Sequence, residues 1–150
     1  MHPFPHRYDA TATVTPEGPI PVMRPGLPAL ITATPVEFDG PGGYWSPEEL
    51  LMASVADCYT LTFRGIARAS KLRFFRCDCT VTGTLDRVNG VTQFTHVDIR
   101  ARVEIPADMS VDQASRIATK AEETCLITRS MKAAVRLDLE VIAVAPAMAE

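Results

Sequence analysis

The sequence predicts an α+β fold in which β-sheets of meander type pack around one long, apolar central helix. Three observations predict it. A complete helix-start signal precedes an apolar stretch of about five turns, strict in–out alternation marks the later segments as strands, and a second helical pattern lies between them.

At 150 residues the chain has the size of a single domain, 1–150, with one real hydrophobic core. Apolar residues make up 47% and charged residues 22%, which is ordinary globular composition. The net charge of −3 and the absence of a basic cluster argue against nucleic acid or an anionic membrane as partners. The opening MHPFPHRYDA lacks the basic and apolar regions of a signal peptide, and no apolar run approaches a membrane span. A cytoplasmic location is expected, where thiols stay reduced unless they do redox chemistry.

Residues 1–46 hold most of the prolines and short β-prone runs, ATATV at 10–14 and LITATPVEF at 30–38. Two or three short strands in an arm or edge hairpin are expected there. Ser46-Pro47-Glu48-Glu49 then reads as a helix start: Ser46 as N-cap, Pro47 in the first turn, Glu49 closing a capping box. The helix is predicted over 47–69. Its body, LLMASVADCYTLTFRGIA, is apolar on nearly every face, so it needs covering on all sides. One small sheet covers one side, and a partner subunit is the simplest source of the rest.

A β-hairpin is predicted over 74–105. Cys77, Cys79 and Val81 alternate with Arg76, Asp78, Thr80 and Thr82. Asn89-Gly90 marks the turn, and Val97, Ile99, Ala101, Val103 and Ile105 return on the inner face. Helices are expected over 110–133, opened by Ser110 with Gln113, ending one near Cys125 and beginning a short one at Thr128. A final strand over 134–145 alternates Val135, Leu137, Leu139 and Val141 with charged residues.

Four cysteines carry the candidate chemistry. Their spacing is not that of a zinc ribbon, and the three histidines, His2, His6 and His96, are not paired at ligand spacing, so neither metal nor cofactor is expected. Cys77 and Cys79 take successive inward positions on one strand, which core packing explains. Cys58 lies about three turns into its helix, too deep for the helix dipole to acidify it, so it needs an outside cation or donors to react. Cys125 sits at a helix end, where a side chain can meet a partner from another element and where the negative pole disfavours a thiolate. That polarity suits Cys58 as attacker and Cys125 as resolver. Glu48 has a simple reading as a first-turn carboxylate. It lies roughly 15 Å along the helix from Cys58, so within one helix the two cannot touch.

The run Gly-Gly-x-x-Ser-Pro-Glu-Glu-Leu-Leu-x-Ala-x-x-Ala-x-Cys, Gly42 to Cys58, resembles the central-helix motif of the OsmC/Ohr family of osmotically inducible and organic-hydroperoxide-resistance proteins. Cys125, after the second long helix, matches the family's second cysteine, and the order of elements agrees from about residue 8 to 145. The resemblance implies an OsmC-like fold and an intertwined homodimer with two sites at the subunit interface. It implies that Cys58 attacks a peroxide oxygen, that Cys125 closes a disulfide with it, and that a dithiol reductant, lipoyl-type or another thiol, reopens it. Glu48 maps to the site carboxylate that holds an arginine. Arg24 is the first stand-in for that arginine, with Arg7 and Arg129 behind it. Three departures stand out: the family's arginine from the N-terminal strands or their loop has no single counterpart here, Leu126 replaces the family's usual Pro after the second cysteine, with Thr128 keeping the hydroxyl, and Asp57 replaces a small apolar residue.

The expected function is a thiol-dependent peroxidase for organic hydroperoxides, with Tyr44, Trp45 and Met52 lining an apolar pocket for the alkyl tail. The alternatives are a dimeric small-molecule binding protein of the same fold, or a redox sensor.

Overall fold

The computed structural model describes residues 2–145 and divides the chain into two compact units, Met1–Leu51 and Met52–Glu150. The first unit holds a small antiparallel sheet in the order β1-β2-β3, formed by β1 (Thr11–Ala12), β2 (Ile20–Met23) and β3 (Leu30–Thr32). The β-prone run at 30–38 supplies a strand over its first three residues only. Pro35, which has no N–H to give a ladder, stands before a 3-10 turn at Val36–Phe38.

The long helix α1 spans Pro47–Ala69. Its capping box is formed: the Glu49 amide donates to Ser46 Oγ at 3.2 Å, and the Ser46 amide donates to Glu49 Oε2 at 2.9 Å. Two of the donors orphaned at a helix start are thereby satisfied.

In the second unit, β4 (Arg76–Val88) and β5 (Val91–Pro106) form a long antiparallel hairpin. Asn89 and Gly90 turn it with positive φ of 51° and 81°, a backbone that Asn tolerates and Gly adopts freely. The helix α2 (Val111–Glu123) is capped by Ser110, which accepts from the Gln113 amide. It carries the chain across to β6 (Ala134–Val144), which pairs with β5 in parallel. The sheet β4-β5-β6 is therefore a hairpin plus a crossover strand rather than a meander throughout. An intervening helix is what a parallel neighbour requires.

One core binds these elements. Val97, Ile99, Ala101, Val103 and Ile105 of β5 are at most 1% exposed. They cluster with Val55, Tyr59, Phe63 and Ala67 of α1 and with Ala114, Ile117, Ala118 and Ala121 of α2. Full burial of a large apolar side chain contributes about 1.5–3 kcal/mol, so this cluster dominates the stability of the unit. The four fully buried positions of α1 recur every four residues and form a single stripe. Its other faces are half-buried or open, and Leu61 stands 47% exposed. Within one chain, the helix is thus covered along one stripe and not on all sides. No helix of the described residues is long and apolar enough to cross a membrane.

Candidate active site

Cys58 and Cys125 meet in the second unit. Their thiols lie close enough to shift one another, although they stand 67 positions apart in sequence. α1 supplies Cys58, and the segment between α2 and the 3-10 turn at Thr128–Ser130 supplies Cys125. Cys125 is fully buried and Cys58 half-buried, so the approach from outside leads to Cys58.

The backbone around Cys125 explains the electrostatics. Its own amide donates to Glu122 O, and its carbonyl accepts from the Arg129 amide and from Thr128 Oγ1, each at 3.1 Å. The amides of Ser130 and Met131 go to Ile127 O and Thr128 O. Three successive N–H groups between them, on Leu126, Ile127 and Thr128, point at sulfur. Those of Ile127 and Leu126 donate to Cys58, and those of Thr128 and Ile127 to Cys125. Consecutive amides aimed at one spot favour negative charge there.

Burial pushes the Cys58 thiol up, but the Ile127 amide, the Cys125 thiol, the Leu126 amide and the Thr62 hydroxyl together hold it below the ordinary thiol value. Burial pushes the Cys125 thiol up, and its interaction with Cys58 adds to that, outweighing the Thr128 amide that opposes it, while the Thr128 hydroxyl is engaged by the Cys125 carbonyl. The pair is thus polarised with the more acidic thiol at the more accessible site, as a thiolate that attacks and a thiol that waits require.

Leu126 bears on this directly. Its side chain is 74% exposed and packs little, while its amide donates to Cys58. A proline at that position would have no N–H to give. The departure from the family pattern therefore adds a donor to the sulfur.

Cys77 and Cys79 pack against the core on β4. Burial pushes Cys77 up to about 11, with Asp78 adding to it, and pushes Cys79 up to about 12, with Cys77 and Cys125 adding to it. Both remain thiols near neutral pH. No group of three or more metal-binding side chains converges among the described residues. Tyr59, next to Cys58, is fully buried and its hydroxyl has no hydrogen-bond partner among them. Burial raises its pKa, and Cys77, Cys79 and Glu122 raise it further, so the hydroxyl keeps its proton.

The other residues singled out in the sequence are placed as follows. Met52, half-buried on α1, packs against the core with its sulfur facing Gly83 of β4. Arg129 is exposed, its guanidinium 3.5 Å from Glu123 O. Within the second unit, the donors to Cys58 are amides, a thiol and a hydroxyl, none of them a guanidinium. Glu48, Arg24, Arg7, Tyr44 and Trp45 belong to the first unit. Glu48 is half-buried, with a buried Oε2 that has no hydrogen-bond partner among the described residues. Arg7 is exposed, and so is Arg24, whose carbonyl accepts the Leu27 amide in the turn after β2. Tyr44 and Trp45 are half exposed, and Trp45 O accepts the Ala33 amide at 3.0 Å.

The sequence reading missed the Thr62 hydroxyl and the two amides. Thr62 could have been found, since it stands four residues after Cys58 on the same helical face. The amides could not, because every residue carries one.

Residues 40–140 match the model of a family described as OsmC-like protein. The uncharacterized protein YmaD of Bacillus subtilis (strain 168) is 32% identical over 116 residues, covering 74% of this chain and 77% of its own. The structure of an organic hydroperoxide resistance protein OsmC from Legionella pneumophila aligns with a TM-score of 0.71 at 25% identity, over 93% of this chain and 98% of that one. An OsmC-like protein of unknown function from Vibrio cholerae aligns with a TM-score of 0.76 at 19% identity, over 91% and 100%. The fold is the OsmC-like fold, and the chain belongs to the OsmC-like protein family.

Proposed function

We propose that the protein is a thiol-dependent peroxidase that reduces organic hydroperoxides, in stress defence and in the cytoplasm. The observation that carries this reading is the polarised Cys58–Cys125 pair: two thiols in contact, the accessible one acidified and the buried one not. The name of the Legionella relative, an organic hydroperoxide resistance protein, supports the substrate class.

In this mechanism the Cys58 thiolate attacks the terminal oxygen of the hydroperoxide. The S–O bond forms as the O–O bond breaks, and the alkoxide leaves as the alcohol after taking a proton. Cys58 is then a sulfenic acid. The Cys125 sulfur displaces its oxygen as water, giving a Cys58–Cys125 disulfide. A dithiol of lipoyl type, or another thiol, returns both cysteines to thiols by two exchanges and is itself oxidised to a disulfide.

The working form is a homodimer, which would cover the faces of α1 left open in one chain. In it, Glu48 and Arg24 act as a charge-holding pair, a role supported by the buried, unpartnered Oε2 of Glu48. Tyr44, Trp45 and Met52 hold the alkyl tail.

The test is consumption of an alkyl hydroperoxide with a dithiol present, comparing wild type with Cys58→Ser. Loss of turnover in the variant is expected. Equal activity in both would end the reading and leave a binding protein of the same fold.

A further inference from the structure

We propose that α1 pairs antiparallel with α1 of a second copy of this chain, crossing at Leu61, so that the Asp57 carboxylate of each copy sits over Gly65 of the other, between its Arg64 and Arg68. This rests on the reading of the protein as a homodimer, and it names the contact that selects the partner.

The open face of α1 carries the inference. At 3.6 residues per turn, Leu61 points directly away from the buried stripe of Val55, Tyr59, Phe63 and Ala67, and it stands 47% exposed. Asp57, Arg64, Gly65 and Arg68 flank it, and all four are exposed. Gly65 has no reason within one chain to be a glycine. It lies inside a 23-residue helix, where glycine is the weakest former apart from proline. Its φ is not positive, and a Cβ built on it would meet nothing within 4 Å. Gly83, by contrast, leaves room that Met52 fills. A bare stretch of backbone on an open helix face suits the close approach of a group from outside.

Charge says what approaches. Asp57, Arg64 and Arg68 have no ion pair among the described residues. Arg64 and Arg68 stand one turn apart on the helix, a spacing at which like charges repel. The face is thus acidic before Leu61 and basic after it, a pattern complementary to its own reverse. A two-fold axis makes residue i of one copy meet j of the other, and j meet i. With Leu61 on that axis, Asp57, four residues before it, meets Gly65, four residues after it. Each carboxylate then faces the two guanidinia that flank the glycine, twice per dimer. A parallel pairing would set Asp57 on Asp57 and arginine on arginine. The aspartate that departs from the family pattern has its physical reason in this contact.

The experiment reads the dimer dissociation constant of the full chain by sedimentation, at a urea concentration that brings the wild type into measurable range, with circular dichroism as the check on folding. The proteins are wild type, Asp57→Lys, Gly65→Leu and the triple variant Asp57→Lys/Arg64→Glu/Arg68→Glu. Asp57→Lys gathers three cations at each junction and should weaken the dimer by at least about tenfold; Gly65→Leu, whose Cβ fits the single chain, should do the same. The triple variant reverses both signs and should return to within about threefold of wild type. Wild-type affinity in Asp57→Lys or Gly65→Leu, or no recovery in the triple variant, would overturn the proposal, leaving the homodimer held by another face and this one to another partner. If Asp57→Lys is recovered unfolded, a folded and dimeric triple variant is the expected result, and an unfolded one overturns the proposal. A wild type that is monomeric at every concentration ends the homodimer reading and the proposal with it.

Discussion

The thiols of Cys58 and Cys125 act on one another, and the two shift in opposite directions, Cys58 down and Cys125 up. The asymmetry comes from the backbone. Leu126 and Ile127 aim their amides at Cys58, while Cys125, fully buried, loses more by desolvation than the Thr128 amide returns. A lowered value means that Cys58 keeps its thiolate to lower pH than a free thiol, near 8.5, would; a raised one means that Cys125 keeps its proton to higher pH.

Leu126 separates the amide from the side chain. Leu126→Pro deletes the N–H that donates to Cys58, whereas Leu126→Ala keeps it and trims an exposed side chain. The Cys58 alkylation profile should move to higher pH in Leu126→Pro and stay in place in Leu126→Ala. Three superimposable profiles would show that this amide does not set the acidity.

Tyr59 has the opposite problem, a buried hydroxyl without a hydrogen-bond partner among the described residues. Leaving such a group unsatisfied costs about 1–3 kcal/mol, so its removal should relieve the fold. Tyr59→Phe is expected to stabilise the protein by about 1 kcal/mol in urea denaturation with an unchanged m value. A destabilisation of similar size would mean that the hydroxyl is bonded in solution.

Gly83 makes room for Met52. A Cβ built at Gly83 would stand 2.5 Å from Met52 Sδ and 2.8 Å from Phe94 Cε1, closer than real Cβ contacts. Gly83→Ala should destabilise by about 1–3 kcal/mol through overpacking. The loss should shrink in a Met52→Ala background, because the two residues compete for one volume. An undiminished loss in that background would place the strain elsewhere.

Periodicity made much of this fold legible. The inward set of β5 and the capped start of α1 can be read because burial and capping leave marks on residue type. The direction of β6 could not be read, since a strand has the same alternation whether its neighbour runs parallel or antiparallel. The site divides the same way. Cys58 and Cys125 stand out as residue types, but the donors that tune them are mostly main-chain N–H groups, which leave no mark on residue type. Thr62 lay in plain view, hidden by an apolar helix pattern in which a threonine passes as filler.

Cys77 and Cys79 give the last prediction, on stability at alkaline pH. Burial, the larger cause at each, holds both thiols far above the free value, to about 11 and about 12. The unfolded chain loses these protons near 8.5 while the folded chain keeps them. Below 8.5 both states bind the protons and the stabilisation is fully present; it declines as pH rises and is gone once the folded values are passed. Midpoints of urea denaturation should therefore fall between pH 8 and about 11, in the wild type more steeply than in Cys77→Ala/Cys79→Ala. The double variant should be less stable at pH 7, since both side chains pack against the core. Parallel pH profiles for the two proteins would mean that these thiols titrate alike folded and unfolded, and that the strand face carrying them is open to water.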